Sequence, residues 1–137
     1  MHKLLVSFFL VLNTTLASAQ ASGVVYHITT GLDTVAAAMS NIQNHLSADP
    51  KAKIVVVTNG PGIDFLVTDA KDSKGREFSG AVADLAGQGV EFRVCNNTLV
   101  TRNLDPDSLL METKLVPSGV AEAARLQLKE GFAYIKP

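Results

Sequence analysis

The stretch from Lys53 to Asn59, KIVVVTN, constrains this chain more than any other. Ile54, Val55, Val56 and Val57 are apolar at consecutive positions, so a strand built from them would present hydrocarbon on both of its faces. A strand with one face in water alternates apolar and polar residues. One that does not alternate needs cover above and below, as an inner strand of a parallel sheet has when helices lie on both sides. β-Branched side chains favour the extended backbone there. The segment Asn59-Gly60-Pro61-Gly62 that follows is a strand breaker.

The rest of the chain alternates around this strand. Val24–Ile28 (VVYHI) is a short apolar run ended by Thr29-Thr30-Gly31. From Asp33 to Leu46 the spacing changes to that of a helix: Val35, Ala38, Met39, Ile42 and Leu46 share one face, Asp33 is a candidate N-cap, and Asp49-Pro50 stops the run. Ile63–Val67 reads as a short helix over the sheet, and residues 69–75 read as a polar, mobile loop. Phe78, Val82 and Leu85 mark a helix stopped by Gly87-Gln88-Gly89. Val90–Val94 alternates as a strand, and residues 96–103 read as helical. Asp105-Pro106-Asp107 opens a turn, Lys114–Val116 is a brief strand, Val120–Lys129 is rich in helix formers, and Phe132–Ile135 closes the chain as a strand. Strand and helix thus alternate through five strands. This predicts a single three-layer α/β domain with a mostly parallel five-stranded sheet.

Composition narrows the function. Of 137 residues, 47% are hydrophobic and 18% charged, which suits a globular domain and not a disordered chain. The formal net charge of -1, with no basic run and no Trp, gives nucleic acid nothing to bind. At the start, a weakly positive Met1-His2-Lys3 precedes the apolar run Leu4–Leu12, which is followed by Ala17-Ser18-Ala19. That is the pattern of a secretory signal at residues 1–19, cut before Gln20. The run falls well short of the ~20 residues needed to cross a bilayer. The expectation is an exported bacterial protein, periplasmic or secreted, whose domain occupies residues 20–137 and which has no membrane association after cleavage.

Export raises the question of Cys95, the only cysteine. In an oxidising compartment an unpaired thiol is buried and inert, joined to another chain, or reactive. Cys95 follows a strand and precedes a helix, so the unpaired N–H groups of the helix start would favour its thiolate. Asn59-Gly60 and Thr29-Thr30-Gly31 also fall at the carboxyl ends of strands, where parallel α/β sheets bind their ligands. Other chemistry is missing. There is no G-x-x-x-x-G-K-S/T phosphate loop, G-x-G-x-x-G turn or G-x-S-x-G elbow. One Cys with His27 and His45 makes no zinc site, so neither metal nor cofactor is expected. His27 lies within a strand, where a satisfied structural histidine is favoured over a Cys–His pair.

Taken together, Val90–Leu99 (VEFRVCNNTL), Arg102, Val116–Val120 (VPSGV) and the closing Gln127-x-x-x-Gly131-Phe-Ala-Tyr-Ile135 resemble the DsrE/DsrF-like family, and more narrowly its small exported members. The resemblance runs from Val24 to Pro137. It implies a compact flavodoxin-like α/β fold assembled as a homo-oligomer. It also implies sulfur-relay chemistry with a persulfide carried on a cysteine after the third main strand, the position that Cys95 matches. Asn59 and Gly60 match the end of the second strand beside the same pocket. With Asn96 and Asn97 at the start of the following helix, they are the candidate substrate-binding residues. The relay relatives are cytoplasmic whereas this chain is expected to be exported, so the sulfur donor and acceptor are unknown. Two readings stay open on the sequence: a sulfur carrier or sulfurtransferase-like protein using Cys95, and a non-catalytic ligand-binding or oligomer-forming module in which Cys95 is packing.

Overall fold

The computed structural model describes residues 23–137, so the segment read as a signal, residues 1–19, lies outside the described residues. The strands are β1 (Val24–Ile28), β2 (Ile54–Thr58), β3 (Glu91–Cys95), β4 (Thr113–Val116) and β5 (Ala133–Ile135). The helices are α1 (Leu32–Ala48), α2 (Phe78–Gly87), α3 (Asn96–Arg102) and α4 (Gly119–Glu130). The strands form one sheet in the order β4-β3-β2-β1-β5, and every pairing within it is parallel. The three-layer α/β architecture expected from the alternation is present.

β2 occupies the middle of the sheet and is buried at every position. The two faces are covered unequally. On one face Tyr26, Ile28, Ile54, Val56, Phe92 and Val94 pack against Val35, Ile42 and Leu46 of α1, Val82 and Leu85 of α2, and Leu99 of α3. On the other, Val25, Val55 and Val57 meet Ala123 and Leu126 of α4, with Phe132 closing the cluster. The strand pleat puts Arg93, Cys95, His27 and Tyr134 on this second, thinly covered face, because they alternate with the residues of the large core.

Three local expectations change. α1 starts at Leu32 with Gly31 as N-cap, so Asp33 lies in the first turn, where its charge suits the helix N-terminus without capping it. The helix after β2 is a 3-10 helix beginning at Gly60, earlier than expected, and it buries Gly62, Ile63, Phe65 and Leu66. Phe65 there sits edge-on to Phe78 (5.9 Å between ring centroids) and Phe92 (6.3 Å), the geometry aromatic rings prefer. Finally, the loop at residues 69–75 is organised. The Asp72 carboxylate accepts from the backbone N–H of Lys74 (2.8 Å) and Arg76 (2.9 Å) and from Arg76 Nε (2.8 Å).

Candidate functional site

β3 and β4 run side by side, with Cys95 opposite Val116. Beyond that level their continuations part. The chain leaving β3 enters α3, whose Leu99 joins the large core. The chain leaving β4 passes through Pro117 and Ser118 into α4 on the opposite face. A gap therefore opens at the carboxyl end of the sheet where two helices begin. The first N–H groups of a helix have no partner within it; here that of Asn97 donates to the Pro117 carbonyl at 3.3 Å.

Cys95 sits in that gap. Burial pushes its thiol pKa up, but the Thr98 hydroxyl and the backbone N–H groups of Gly119, Thr98 and Asn97 beside the sulfur favour the thiolate and outweigh burial, so the pKa is held below the usual thiol value. Each of these donors stabilises a thiolate more than a thiol. Of the alternatives open for an unpaired thiol, the structure shows a buried one: Cys95 is only 5% exposed. The start of α4 packs directly on it, since a Cβ at Gly119 would stand 3.3 Å from Cys95 Cβ, 3.2 Å from Asn59 Cβ and 3.1 Å from the Thr58 carbonyl oxygen. Only a residue without a side chain brings that amide so close.

The other candidate residues divide. Gly60 enters through its backbone, its N–H donating to Thr98 Oγ1 at 3.0 Å, which orients the hydroxyl that serves Cys95. Its positive φ of 57° suits glycine. Asn59 extends β2 one residue beyond Thr58, level with Cys95 on β3. Its Oδ1 lies 2.5 Å from His27 Nε2, and His27 Nδ1 lies 2.8 Å from the Tyr134 hydroxyl. Both nitrogens of His27 are thus satisfied, as expected for a structural histidine, and the imidazole bonds to Asn59 and Tyr134. The Asn97 backbone N–H lies beside the sulfur but donates to the Pro117 carbonyl at 3.3 Å, tying the start of α3 to the turn before α4. Asn96 is the first residue of α3 and is partly buried.

Sequence reasoning missed Thr98, Gly119 and Tyr134. Thr98 stands three residues after a helix-preceding cysteine, and Gly119 follows Ser118, whose side chain caps α4 by accepting from Ala121 N–H. Those spacings are the only trace of either residue's role in the sequence. Arg102, at the end of α3, bonds away from the sulfur. It clamps the 3-10 helix instead, bonding Asp64 Oδ1 at 2.7 Å and the Gly60 carbonyl at 3.1 Å.

α4 is fixed over the site by charge. Arg93 on β3 bonds Glu91 (2.8 Å) and Glu122 in the first turns of α4. Arg125 also grips Glu122, at 2.9 Å. The Arg125 and Arg93 guanidinium groups hold the Glu122 carboxyl at a pKa of about 2 against the opposing effect of burial. A surface groove of about 280 Å³ between α1 and α2 is lined by Met39, Ser40, Asp72 and Arg76, among others, and contains none of the site residues. Among the described residues, no cluster of His, Cys, Asp and Glu is placed to hold a metal ion, and no helix is long and apolar enough to cross a membrane.

The parallel α/β fold that carries this cysteine is shared with known proteins. Residues 8–137 match the DsrE/DsrF-like family, and the chain belongs to it. A protein of unknown function from Methanobacterium thermoautotrophicum, MTH1491, superposes with a TM-score of 0.75 at 37% identity, covering 85% of this chain and 99% of that one. The ychN protein from E. coli superposes with a TM-score of 0.69 over 83% of this chain and 99% of its own, and at 10% identity it shares the fold alone. None of the curated proteins compared with the chain matches it.

Proposed function

We propose that this protein is an exported sulfur carrier that holds a persulfide on Cys95. Membership of the DsrE/DsrF-like family supports a place in sulfur relay. The observation that carries the reading is the polar setting of the sulfur, with the Thr98 hydroxyl fixed by Gly60 N–H and the start of α4 packed on Cys95 at Gly119, which together favour the thiolate. A cysteine that merely fills space needs no such setting.

The chemistry balances without an external oxidant. The Cys95 thiolate attacks the outer sulfur of a donor persulfide. The new S–S bond forms as the donor's S–S bond breaks, and the donor leaves as a thiolate. An acceptor thiolate then attacks the outer sulfur and returns Cys95 to its thiolate. Sulfur oxidation levels are exchanged between partners and no electrons are lost. The donors around Cys95 stabilise it as attacking anion and again as leaving group. A cysteine only 5% exposed suits a small sulfane-sulfur donor.

The apolar run Leu4–Leu12 and the Ala17-Ser18-Ala19 pattern support export. Assembly into a homo-oligomer is supported by α4, where Val120 (60% exposed), Ala124 and Leu128 (81%) lie four residues apart along its outer side.

The test is intact-mass measurement after incubation with a polysulfide donor. One added sulfur atom is expected on the parent protein and none on Cys95→Ser. A parent protein that gains no sulfur refutes the reading.

A further inference from the structure

Tyr134, His27, Asn59 and Cys95 lie on four adjacent strands, or just past their ends, all on the face beneath α4. Their levels climb steadily toward the carboxyl end. Tyr134 pairs with Val25, His27 pairs with Val57 two residues further up, and Asn59, two beyond Val57, is level with Cys95. Hydrogen bonds join the first three: Tyr134 hydroxyl to His27 Nδ1 at 2.8 Å, and His27 Nε2 to Asn59 Oδ1 at 2.5 Å. The imidazole is 7% exposed, while Tyr134 at the sheet edge is 44% exposed. A diagonal polar track therefore runs from the open edge of the sheet to the neighbour of Cys95.

The direction of the bonds along the track has a chemical consequence. A carboxamide oxygen only accepts, so Nε2 carries the imidazole proton and donates it to Asn59 Oδ1. In a neutral ring Nδ1 then accepts from the Tyr134 hydroxyl. With Oδ1 bonded to His27 on β1, a planar carboxamide turns the Asn59 amino group away from β1, and the neighbour of β2 on its other side is β3, where Cys95 is level with Asn59. The thiolate donors, from α3 and α4, gather around the inner sulfur. A persulfide carries its negative charge on the outer sulfur, one bond further out, and that atom needs a donor of its own.

We propose that Asn59 Nδ2 is the donor to the outer sulfur of a Cys95 persulfide, and that His27 and Tyr134 are positioning residues that hold the carboxamide in that sense. This rests on the sulfur-carrier reading. It assigns each sulfur of the persulfide its own donors, and it selects ligands with an anionic outer atom over neutral disulfides, which offer Asn59 no charge to stabilise.

Asn59→Asp tests it. Aspartate keeps the shape of the side chain and still accepts from His27 Nε2, so a purely structural role survives the change. It replaces the amino group with an anionic oxygen beside the outer sulfur. After loading with polysulfide, the Asn59→Asp persulfide should be lost to a small acceptor thiol or to spontaneous decay at least about tenfold faster than in the parent, the loss of one hydrogen bond to a charged group. His27→Leu should show a similar loss through a free carboxamide, and His27→Gln, whose amide nitrogen can reach Asn59, should recover most of the parent lifetime. That pair carries the test if Asn59→Asp does not fold. An Asn59→Asp persulfide as long-lived as the parent's, or His27→Gln and His27→Leu behaving alike, overturns the inference while leaving the carrier reading intact. A parent protein that never takes up sulfur overturns both.

Discussion

Gly119 and Cys95 belong to strand-end segments that leave the sheet toward opposite faces, yet the Gly119 amide reaches the Cys95 sulfur because nothing stands on its α-carbon. An alanine there would put its Cβ 3.1 Å from the Thr58 carbonyl oxygen and 3.3 Å from Cys95 Cβ. Backbone on one side and a strand-held side chain on the other leave little room to yield. Gly119→Ala should therefore move the start of α4 outward and weaken one thiolate donor. The expected result is a rise in the apparent thiol pKa, read from alkylation rate against pH, with the sheet intact by far-UV circular dichroism. An unchanged profile would show that this amide does not act on the sulfur.

Thr98 links two parts of the site, accepting from Gly60 N–H at 3.0 Å and hydrogen-bonding to the thiolate. Thr98→Val keeps the shape and removes both bonds. A hydrogen bond to a charged group contributes ~1.5–3 kcal/mol, and a pKa unit corresponds to ~1.4 kcal/mol, so the Cys95 pKa should rise by about one unit or more. Thr98→Ser should restore it. Titrating the thiol in the three proteins distinguishes the hydroxyl's contribution from that of the fold.

Burial of Cys95 at 5% exposure predicts discrimination by size. Methyl methanethiosulfonate should modify the native thiol much faster than a bulky aromatic disulfide, by roughly a hundredfold when normalised to a free thiol of equal basicity, the effect of a steric barrier of about 3 kcal/mol. Unfolding in denaturant should abolish the difference. Equal native rates with both reagents would mean that the sulfur opens freely.

Glu122 is held by Arg125 and Arg93 at a pKa of about 2, below the 4.5 of a free glutamate side chain. A carboxylate whose pKa is depressed on folding contributes stability that is complete above its unfolded pKa and is lost as pH falls through the folded one. The window here is from about pH 4.5 down to about 2. Glu122→Gln should lower the unfolding free energy at neutral pH by roughly 2 kcal/mol. It should also flatten the loss between those two pH values. Chemical denaturation across the acid range checks this, and because Glu122 lies in the first turns of α4, thiol reactivity should change with it.

Gly62 tests the packing of the 3-10 helix. A Cβ there would fall 2.1 Å from the Ile28 carbonyl oxygen and 2.6 Å from its carbon, both backbone atoms of an inner strand. Gly62→Ala should cost at least about 3 kcal/mol, by analogy with severe overpacking, whereas Gly75→Ala, with open space around it, should cost only the left-handed backbone strain of roughly 1 kcal/mol. Paired denaturation curves separate the two.

Much of the fold was legible because its signals are local. Four apolar residues in succession at β2 require cover on both faces, and the 3.6-residue spacing of Val35, Ala38, Met39, Ile42 and Leu46 marks the buried side of α1. The early start of the 3-10 helix was hidden because Gly60-Pro61-Gly62 reads as punctuation. Gly62 is there for close approach to β1, a requirement set by a segment more than thirty residues away. The order of the loop at residues 69–75 was hidden for a related reason. One carboxylate, Asp72, replaces the contacts that a polar sequence otherwise lacks.

The sequence alone determined the alternation of strands and helices, the parallel sheet and the placing of Cys95 at a strand's carboxyl end, because these follow from hydrophobic period and turn chemistry within a few residues of each position. Only the tertiary structure decided that Gly119 and Thr98 come to lie beside one sulfur and that His27 takes hold of Asn59. Those contacts depend on strand order and on which face each helix crosses, set by the packing of segments far apart in the chain, and no local pattern encodes the meeting of two helix starts across a gap between strands.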